Sequence, residues 1–429
     1  MTSANASRGE KETSAPADAI VRLARDYSGQ VLASLARRFN DLDLADEAVQ
    51  EALIEASQRW TVDSIPDNPG GWLYRVAQRK ALDRLRRVGA EQRRLEANAP
   101  EMLRVDDRFD SSADESNMLI NDGTGEPISD ERLRLILLCC HPALHVDAQV
   151  ALTLRLAGGL TTDEIAAAFL VPVPTLAARI TRAKKKIRQA NIPLHEPDDL
   201  DERLDAVLAV LYLIFNEGYL SSSANEAMRV DLCEEAIRLA QVVASLATEH
   251  AETRGLVALL KLTHARRDAR FSGNQLVPLD EQDRGLWHLD EIRPANQLLA
   301  QAMQMMRPGP YQLQALIASN HSNARTAADT DWTQITALYD QLVAMRPSPI
   351  VALNRAVAIA MADGPLAGLR ELDQIDGLEE YHLLHASRGE LLRRSGDVEG
   401  ARESFERARQ LTSNPSELAH IETKLAQLG

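Results

Sequence analysis

The chain has 429 residues, of which 45% are hydrophobic, 4% aromatic and 26% charged, and its formal net charge is −15. That length has room for about two to four domains, and the Ala/Leu/Arg/Glu-rich composition favours helices in a soluble protein. Three cysteines, Cys139, Cys140 and Cys233, exclude a disulfide framework. The polar first 19 residues exclude a signal peptide, and the longest apolar run, Ala206 to Phe215, falls well short of the roughly 20 residues of a membrane span. A cytoplasmic protein is expected.

The net charge is unevenly spread: −3 over residues 1–60, +4 over 61–94, −7 over 95–129, +4 over 130–194 and −13 over 195–429. Two basic islands in an acidic chain say more about partners than the overall charge does.

Residues 1–18 read as a disordered tail. "AIVRLARDYSGQVLASLARRF" and "DLADEAVQEALIEASQRW" carry helical spacing. "VDSIPDNPGG" (62–71) is a loop, and "WLYRVAQRKALDRLRRV" (72–88) is a basic amphipathic helix. Trp72, Leu73, Val76, Leu82 and Leu85 suit its inner face, while Arg75, Arg79, Lys80, Arg84, Arg86 and Arg87 stay outside. Taken alone it reads as a surface helix; a Pro/Asn/Gly loop beside it also suits splayed bases held on a phosphate-binding face. Residues 95–129 are polar and acidic, with "NDGTGEP" inside, and read as a linker.

Residues 130–190 are helical again. Thr161 with Glu164 is a capping box, so a helix starts near Thr162. "LVPVP" stops it, and a second helix starts about Pro174 to Thr175. Leu176, Ile180, Ala183 and Ile187 form its buried stripe, and Thr175, Arg179, Arg182, Lys185 and Lys186 its polar face. Helix, tight turn and basic helix is the helix-turn-helix pattern, which places the second helix in the major groove; the alternative is a solvated basic helix in a bundle. Arginine and lysine there supply phosphate affinity, and arginine reads guanine through two hydrogen bonds. Cys139-Cys140-His141 offers no metal site, because adjacent helical residues diverge by about 100°. No metal or other cofactor is expected, nor any enzymatic chemistry.

"IPLHEPDD" (192–199) marks a boundary, and helical hairpins follow. "DLCEEAIRLAQVVASLA" and "ETRGLVALLKLTHARRDARF" suit one hairpin. "LIFNEGY" (213–219), His264, Arg266, Arg267, Asp268, Asp283 and Trp287 suit buried hydrogen bonds between helices or a ligand cleft. Further on, an offset of 33 aligns residues 325–342, 358–375 and 390–408. Gly389, Gly396, Ala401, Phe405 and Ala408 are spaced as in tetratricopeptide repeats, and "SELAHIETKLAQL" suits a capping helix. The alternative is an irregular helical bundle.

The order of acidic helix, Pro-rich loop, "GWLYRVAQRKALDRLRR", acidic linker and helix-turn-helix resembles the extracytoplasmic-function (ECF) group of sigma-70 factors, over roughly residues 19–190. The resemblance implies an all-α fold: sigma region 2 over 19–94, a linker over 95–129 and region 4 over 130–192. A helical extension (196–310) and tetratricopeptide-like repeats (311–429) follow. It implies an alternative sigma factor that binds core RNA polymerase, recognises the −10 and −35 promoter elements and initiates transcription without covalent chemistry of its own. On that resemblance Asp46, Gln50, Glu51 and Glu55 of "DEAVQEALIEA" face the polymerase, although alone they read as a solvated acidic face. Trp72, Arg75, Arg79, Lys80, Arg84 and Arg87 serve the −10 element. Thr175, Arg179, Arg182, Lys185 and Lys186 serve the −35 element. Ala177 and Ala178 stand where the family often has polar residues. The linker is either plain disorder or an acidic mimic of RNA, with Asp106, Asp107, Asp110, Asp114 and Glu115 as its carboxylates. "DGPLAGL", Asp363, Gly364, Pro365, Leu366, Ala367, Gly368 and Leu369, matches an element of one ECF subgroup, whose extension regulates the sigma part and offers a surface to a regulatory protein. Two rivals stay open: a one-component helix-turn-helix regulator that needs no polymerase, and an enzyme or ligand sensor working through Glu217 and Arg266.

Overall fold

A computed structural model describes residues 27–39, 41–60, 64–96, 127–169, 171–190, 200–219, 228–272, 275–412 and 414–428. The expected tail over 1–18 and most of the linker lie outside the described residues; the edges of the linker, 95–96 and 127–129, are helical. The described chain is all-α except for one two-stranded antiparallel hairpin, β1 (Phe271–Ser272) with β2 (Gln275–Leu276), paired Phe271 to Leu276 and Ser272 to Gln275. It divides into two compact units, residues 1–167 with 171–210, and 168–170 with 211–429.

In the first unit, α1 (27–39) precedes α2 (Leu42–Arg59) and α3 (Pro69–Glu96). Asp41 starts α2 by accepting from the Asp43 and Leu44 amides at 2.9 and 3.0 Å. Asn68 does the same for α3, accepting from Gly71 at 2.8 Å. Leu44, Ala45, Ala48, Val49, Ala52 and Ala56 form the buried stripe of α2, and Leu73, Val76, Ala77 and Ala81 that of α3. Alanine at most of these contacts lets the two helices approach closely.

Next come α4 (Pro127–Cys139), α5 (Val146–Leu152), a π-helical turn (Thr153–Ala157), α6 (Thr162–Ala168) and α7 (Val173–Gln189). Leu135, Ile136, Leu152, Leu154, Leu156, Ile165 and Leu176 are all but inaccessible to solvent. Gly29 of α1 lies against this group: a β-carbon there would stand 2.8 Å from the Ala157 carbonyl oxygen. Cys139 and Cys140 are buried, and burial pushes the Cys140 thiol up to about 12. Helix α8 (Leu200–Tyr219) crosses the division at residues 210 and 211, later than the boundary expected near 196. The first half of α8 carries four charged residues but still buries Leu204, Val207 and Leu208, so the chain continues the first core beyond the proline-marked loop.

The second unit continues with α9 (Val230–Leu246) and α10 (Ala251–His264). The expected extension of α10 to Phe271 stops short: residues 267–269 are a 3-10 turn, and Phe271 opens the β hairpin. Helices α11 (Leu289–Gln304), α12 (Pro310–Asn323), α13 (Trp332–Met345), α14 (Pro349–Asp363), α15 (Pro365–Leu372), α16 (His382–Ser395), α17 (Val398–Leu411) and α18 (Pro415–Ala426) complete it. Most pack chiefly on their sequence neighbours, while α12 packs most on α10. The cores are accordingly serial: Leu313, Ile335, Leu338 and Ala358, then Leu353, Ala356, Leu372 and Leu391, then Ala401, Phe405, Ala408 and Ile421. The β hairpin returns to the far end of this series, where Gln275 donates to the Thr423 hydroxyl at 2.9 Å and Lys424 pairs with Glu281 at 3.2 Å.

Candidate nucleic-acid interface

The start of α6 is fixed by the reciprocal bonds of its capping box. The Thr161 amide donates to Glu164 Oε2 at 2.7 Å, and the Glu164 amide to Thr161 Oγ1 at 3.2 Å. Pro174 occupies the first turn of α7, where its missing amide hydrogen is no loss. Leu176, Ile180, Ala183 and Ile187 are buried along one side of α7. Thr175, Arg182, Lys185 and Lys186 are exposed on the other. Arg179 is half-buried and pairs with Asp147 at 3.5 Å. Lys186 also donates to the Ala143 carbonyl. Helix α7 packs on α5, and its outer face carries cations.

The second basic face lies on α3. Arg75, Arg84, Arg86 and Arg87 are exposed, and Trp72 is half-exposed with its ring edge-on to Trp60, centroids 5.2 Å apart. This face meets the acidic face of α2. Glu55 accepts from Arg79 at 3.4 Å and pairs with Lys80 at 3.3 Å; Glu51 pairs with Lys80 at 3.8 Å and with Arg84 at 3.4 Å; Glu47 pairs with Arg84 at 2.7 Å. The residues expected to serve DNA and those expected to serve the polymerase therefore hold one another across α2 and α3. The pairs of Arg84 with Glu47 and Glu51 are exposed and each worth roughly 0–1 kcal/mol, while Glu55 is largely buried.

Asp46 departs from the expected solvated face. It is 3% exposed and lies between Lys184 of α7, 2.6 Å away, and Arg155 of the π-helical turn, 3.3 Å away. Asp43 adds contacts to Lys184 at 3.3 Å and to Arg188. The physical reason lies in α7: Lys184 follows Ile180 by four residues on the buried stripe, so its charge needs a carboxylate inside. A lysine amid an apolar stripe signals that its charge is met inside the fold, but not by which carboxylate. Gln50 is half-buried, and its Nε2 has no hydrogen-bond partner.

In the second unit the polar groups of 264–288 fare differently from one another. Arg267 binds Glu291 through two bonds of 2.9 and 2.7 Å, His288 pairs with Asp268 at 2.8 Å, and Asp283 caps the Gly285 amide at 2.8 Å. Arg266 is buried, and its Nε and Nη1 have no acceptor. Among the described residues no group of His, Cys, Asp or Glu is arranged to hold a metal ion, and no helix is long and apolar enough to cross a membrane.

The helix-turn-helix and the α2–α3 pair fall within two matched families. Residues 23–91 match sigma-70 region 2, and residues 134–187 match sigma-70 region 4. The ECF RNA polymerase sigma-E factor of Escherichia coli (strain K12) is 30% identical over 171 residues, which is 38% of this chain and 82% of that protein. The chain belongs to the ECF group of sigma-70 factors. Factors of this family are non-enzymatic initiation factors, and the two sigma-70 regions imply binding to core RNA polymerase and promoter DNA. The sigma-E factor of Salmonella typhimurium (strain LT2) is 29% identical over the same length. An uncharacterized protein of Rhizobium meliloti (strain 1021) is 42% identical over 405 residues, 93% of each chain, so that likeness runs through the extension of this sigma factor as well. Residues 203–303 match a family of unknown function, DUF6596.

Proposed function

We propose that this chain is an alternative sigma factor of the ECF subgroup carrying the DGPLAGL element, and that its tetratricopeptide-like extension regulates the sigma part. It works in the cytoplasm, where core polymerase and DNA are. The observation that carries the promoter reading is the capped α6 followed by α7, with Thr175, Arg182, Lys185 and Lys186 on the open face. In this reading α7 enters the major groove of the −35 element, Arg179 turns from Asp147 toward a base edge, and the lysines hold phosphates. Trp72, Arg75, Arg79, Lys80, Arg84 and Arg87 serve the −10 element. Gln50, Glu51 and Glu55 serve the polymerase, and Asp46 joins them once it leaves Lys184.

Two promoter elements about 25 base pairs apart are separated by roughly 85 Å, at about 3.4 Å per step along each strand. Helices joined through Asp46 and Lys184 cannot span that distance. The described arrangement is therefore the resting one, and binding to polymerase opens it. In the extension, helix pairs α14–α15 and α16–α17 with the terminal α18 support the repeat reading. The exposed Leu366 and Asp363 of the DGPLAGL element offer a surface to a regulatory protein.

The test is run-off transcription with core polymerase. Specific initiation by core plus the full chain supports the sigma reading; a DNA footprint that needs no polymerase supports a one-component regulator instead. A truncation after Tyr219, which keeps α8 whole, reads the extension. Higher or lower activity than the full chain gives the sign of regulation, and equal activity removes the regulatory reading.

A further inference from the structure

The extension contains a cleft for which promoter recognition has no use. It lies where the 277–287 segment faces α12, α13 and α14, and it encloses about 270 Å³. One wall is apolar, formed by Trp332, Ile335, Val357 and Ala358. The other is cationic. Arg284 lies over the Trp287 ring, 4.4 Å from its centroid, and gives Nη1 to the His321 and Ala324 carbonyls at 2.7 and 3.0 Å. Arg266, buried behind it, lies over the same ring at 5.8 Å, and its Nε and Nη1 have no acceptor. His321 is buried, edge-on to Trp332 at 5.2 Å, with Nδ1 unpartnered.

Charge decides what this cleft fits. Among the described residues neither Arg266 nor Arg284 has a carboxylate within ion-pair distance; Asp329 acts on Arg284 only from further off. The rim carboxylate Asp280 is already matched by Arg394 at 3.3 Å. Burial, with both arginines, pushes His321 down to about 4, so the ring is neutral and adds a polar atom without charge. Arg284, the half-buried arginine that lines the cleft, has two carbonyl acceptors but no carboxylate to balance its charge, and an anion supplies that balance. The facing Trp332 and aliphatic wall suit an apolar body.

We propose that this cleft binds a small organic carboxylate with an apolar body, its carboxylate on Arg284 and its body against Trp332, Ile335 and Val357. The site is independent of the promoter reading, because its occupancy is measured on the full chain without polymerase or DNA.

The experiment titrates the full-length protein with benzoate, phenylacetate and octanoate at millimolar concentrations, with tryptophan fluorescence and thermal melting as readouts. Benzamide supplies the body without the charge, and inorganic phosphate the charge without the body. At least one carboxylate is expected to saturate both readouts, with benzamide about tenfold weaker or worse, the usual loss of a charge-assisted hydrogen bond. Phosphate is expected to give no saturable change. Arg284→Met should abolish the response. Because that arginine also holds two carbonyls, Asn354→Trp provides a second variant: Asn354 is exposed at the cleft's edge on α14, so the indole blocks entry while melting in buffer stays unchanged. Absence of saturation by all three carboxylates overturns the proposal. So does an equal response to benzamide or phosphate, or full binding by folded Asn354→Trp.

Discussion

Asp46 Oδ2 lies 2.6 Å from Lys184 Nζ, joining residues 138 positions apart, one in the region 2 match and one in the region 4 match. Both side chains are nearly closed to solvent, at 4% and 9% exposure, and Arg155 completes the group at 3.3 Å. A buried pair adds little net stability relative to apolar residues of the same size, but removing one member strands the other. Asp46→Leu should therefore destabilise the first unit by about 3–5 kcal/mol, and adding Lys184→Met should recover most of that loss. Denaturant titration of the four proteins of the cycle gives the coupling. Single and double variants with equal midpoints would show that the pair does not hold the two regions together.

The outer face of α7 predicts a salt dependence. Each phosphate neutralised on duplex DNA adds about 0.9 to the slope of log K against log salt. Arg182→Ala with Lys185→Ala should lower that slope by about 1.8 for holoenzyme on promoter DNA. Both residues are exposed and away from the Leu176–Ile187 stripe, so melting should not move. An unchanged slope would place the phosphate contacts elsewhere.

Two buried histidines set the acid response of the extension. Burial, reinforced by neighbouring arginines, pushes both His264 and His321 from 6.5 down to about 4. The unfolded chain therefore binds more protons than the folded one across that window, so stability is full above pH 6.5 and falls toward pH 4. Each histidine contributes on the order of 2–3 kcal/mol to the fall. Glu390 acts lower down. Burial raises its carboxyl, but the bonds from Arg393 and Arg394 outweigh this and bring it to about 2. Its stabilising effect is lost only as pH falls from 4.5 toward 2. Melting temperatures of the full chain should drop between pH 6.5 and 4, and His264→Gln with His321→Gln should flatten that drop. An equal drop in the variant would assign it to other groups.

Local chemistry made the elements legible. The Thr161–Glu164 box, the prolines of "LVPVP" and the Leu176–Ile187 stripe each act within a few residues, and α6 and α7 follow them closely. Helices α14 to α17 likewise follow local spacing, because each packs chiefly on its sequence neighbours. Contacts between distant segments were not legible. Asp46 looks like its exposed neighbours Glu47 and Glu51 until Lys184 and Arg155 are set against it. The cleft at Arg284 and His321 draws its wall from α12, α13 and α14, so no single stretch of sequence carries its pattern.

The DGPLAGL element separates into members that build and members that face solvent. Gly364 has φ +97° and ψ 161°, joining α14 directly to Pro365 at the start of α15. This is not the left-handed helical conformation, which Gly396 takes with φ 92° and ψ 3°. A side chain at Gly364 meets nothing within 4 Å, so Gly364→Ala costs only backbone strain, about 1–3 kcal/mol. Gly368 is limited by space instead: a β-carbon would stand 2.4 Å from Ala360 Cβ and 2.8 Å from the Ala356 carbonyl oxygen. Gly368→Ala forces α14 and α15 apart and should also cost about 1–3 kcal/mol. Leu366 is 62% exposed, and Asp363 is exposed too. Leu366→Ala and Asp363→Asn should leave melting unchanged. If either lowers or raises run-off transcription, the element makes a contact beyond the repeat. Unchanged transcription by both, alongside destabilised Gly364→Ala and Gly368→Ala, would reduce "DGPLAGL" to a turn between two closely packed helices.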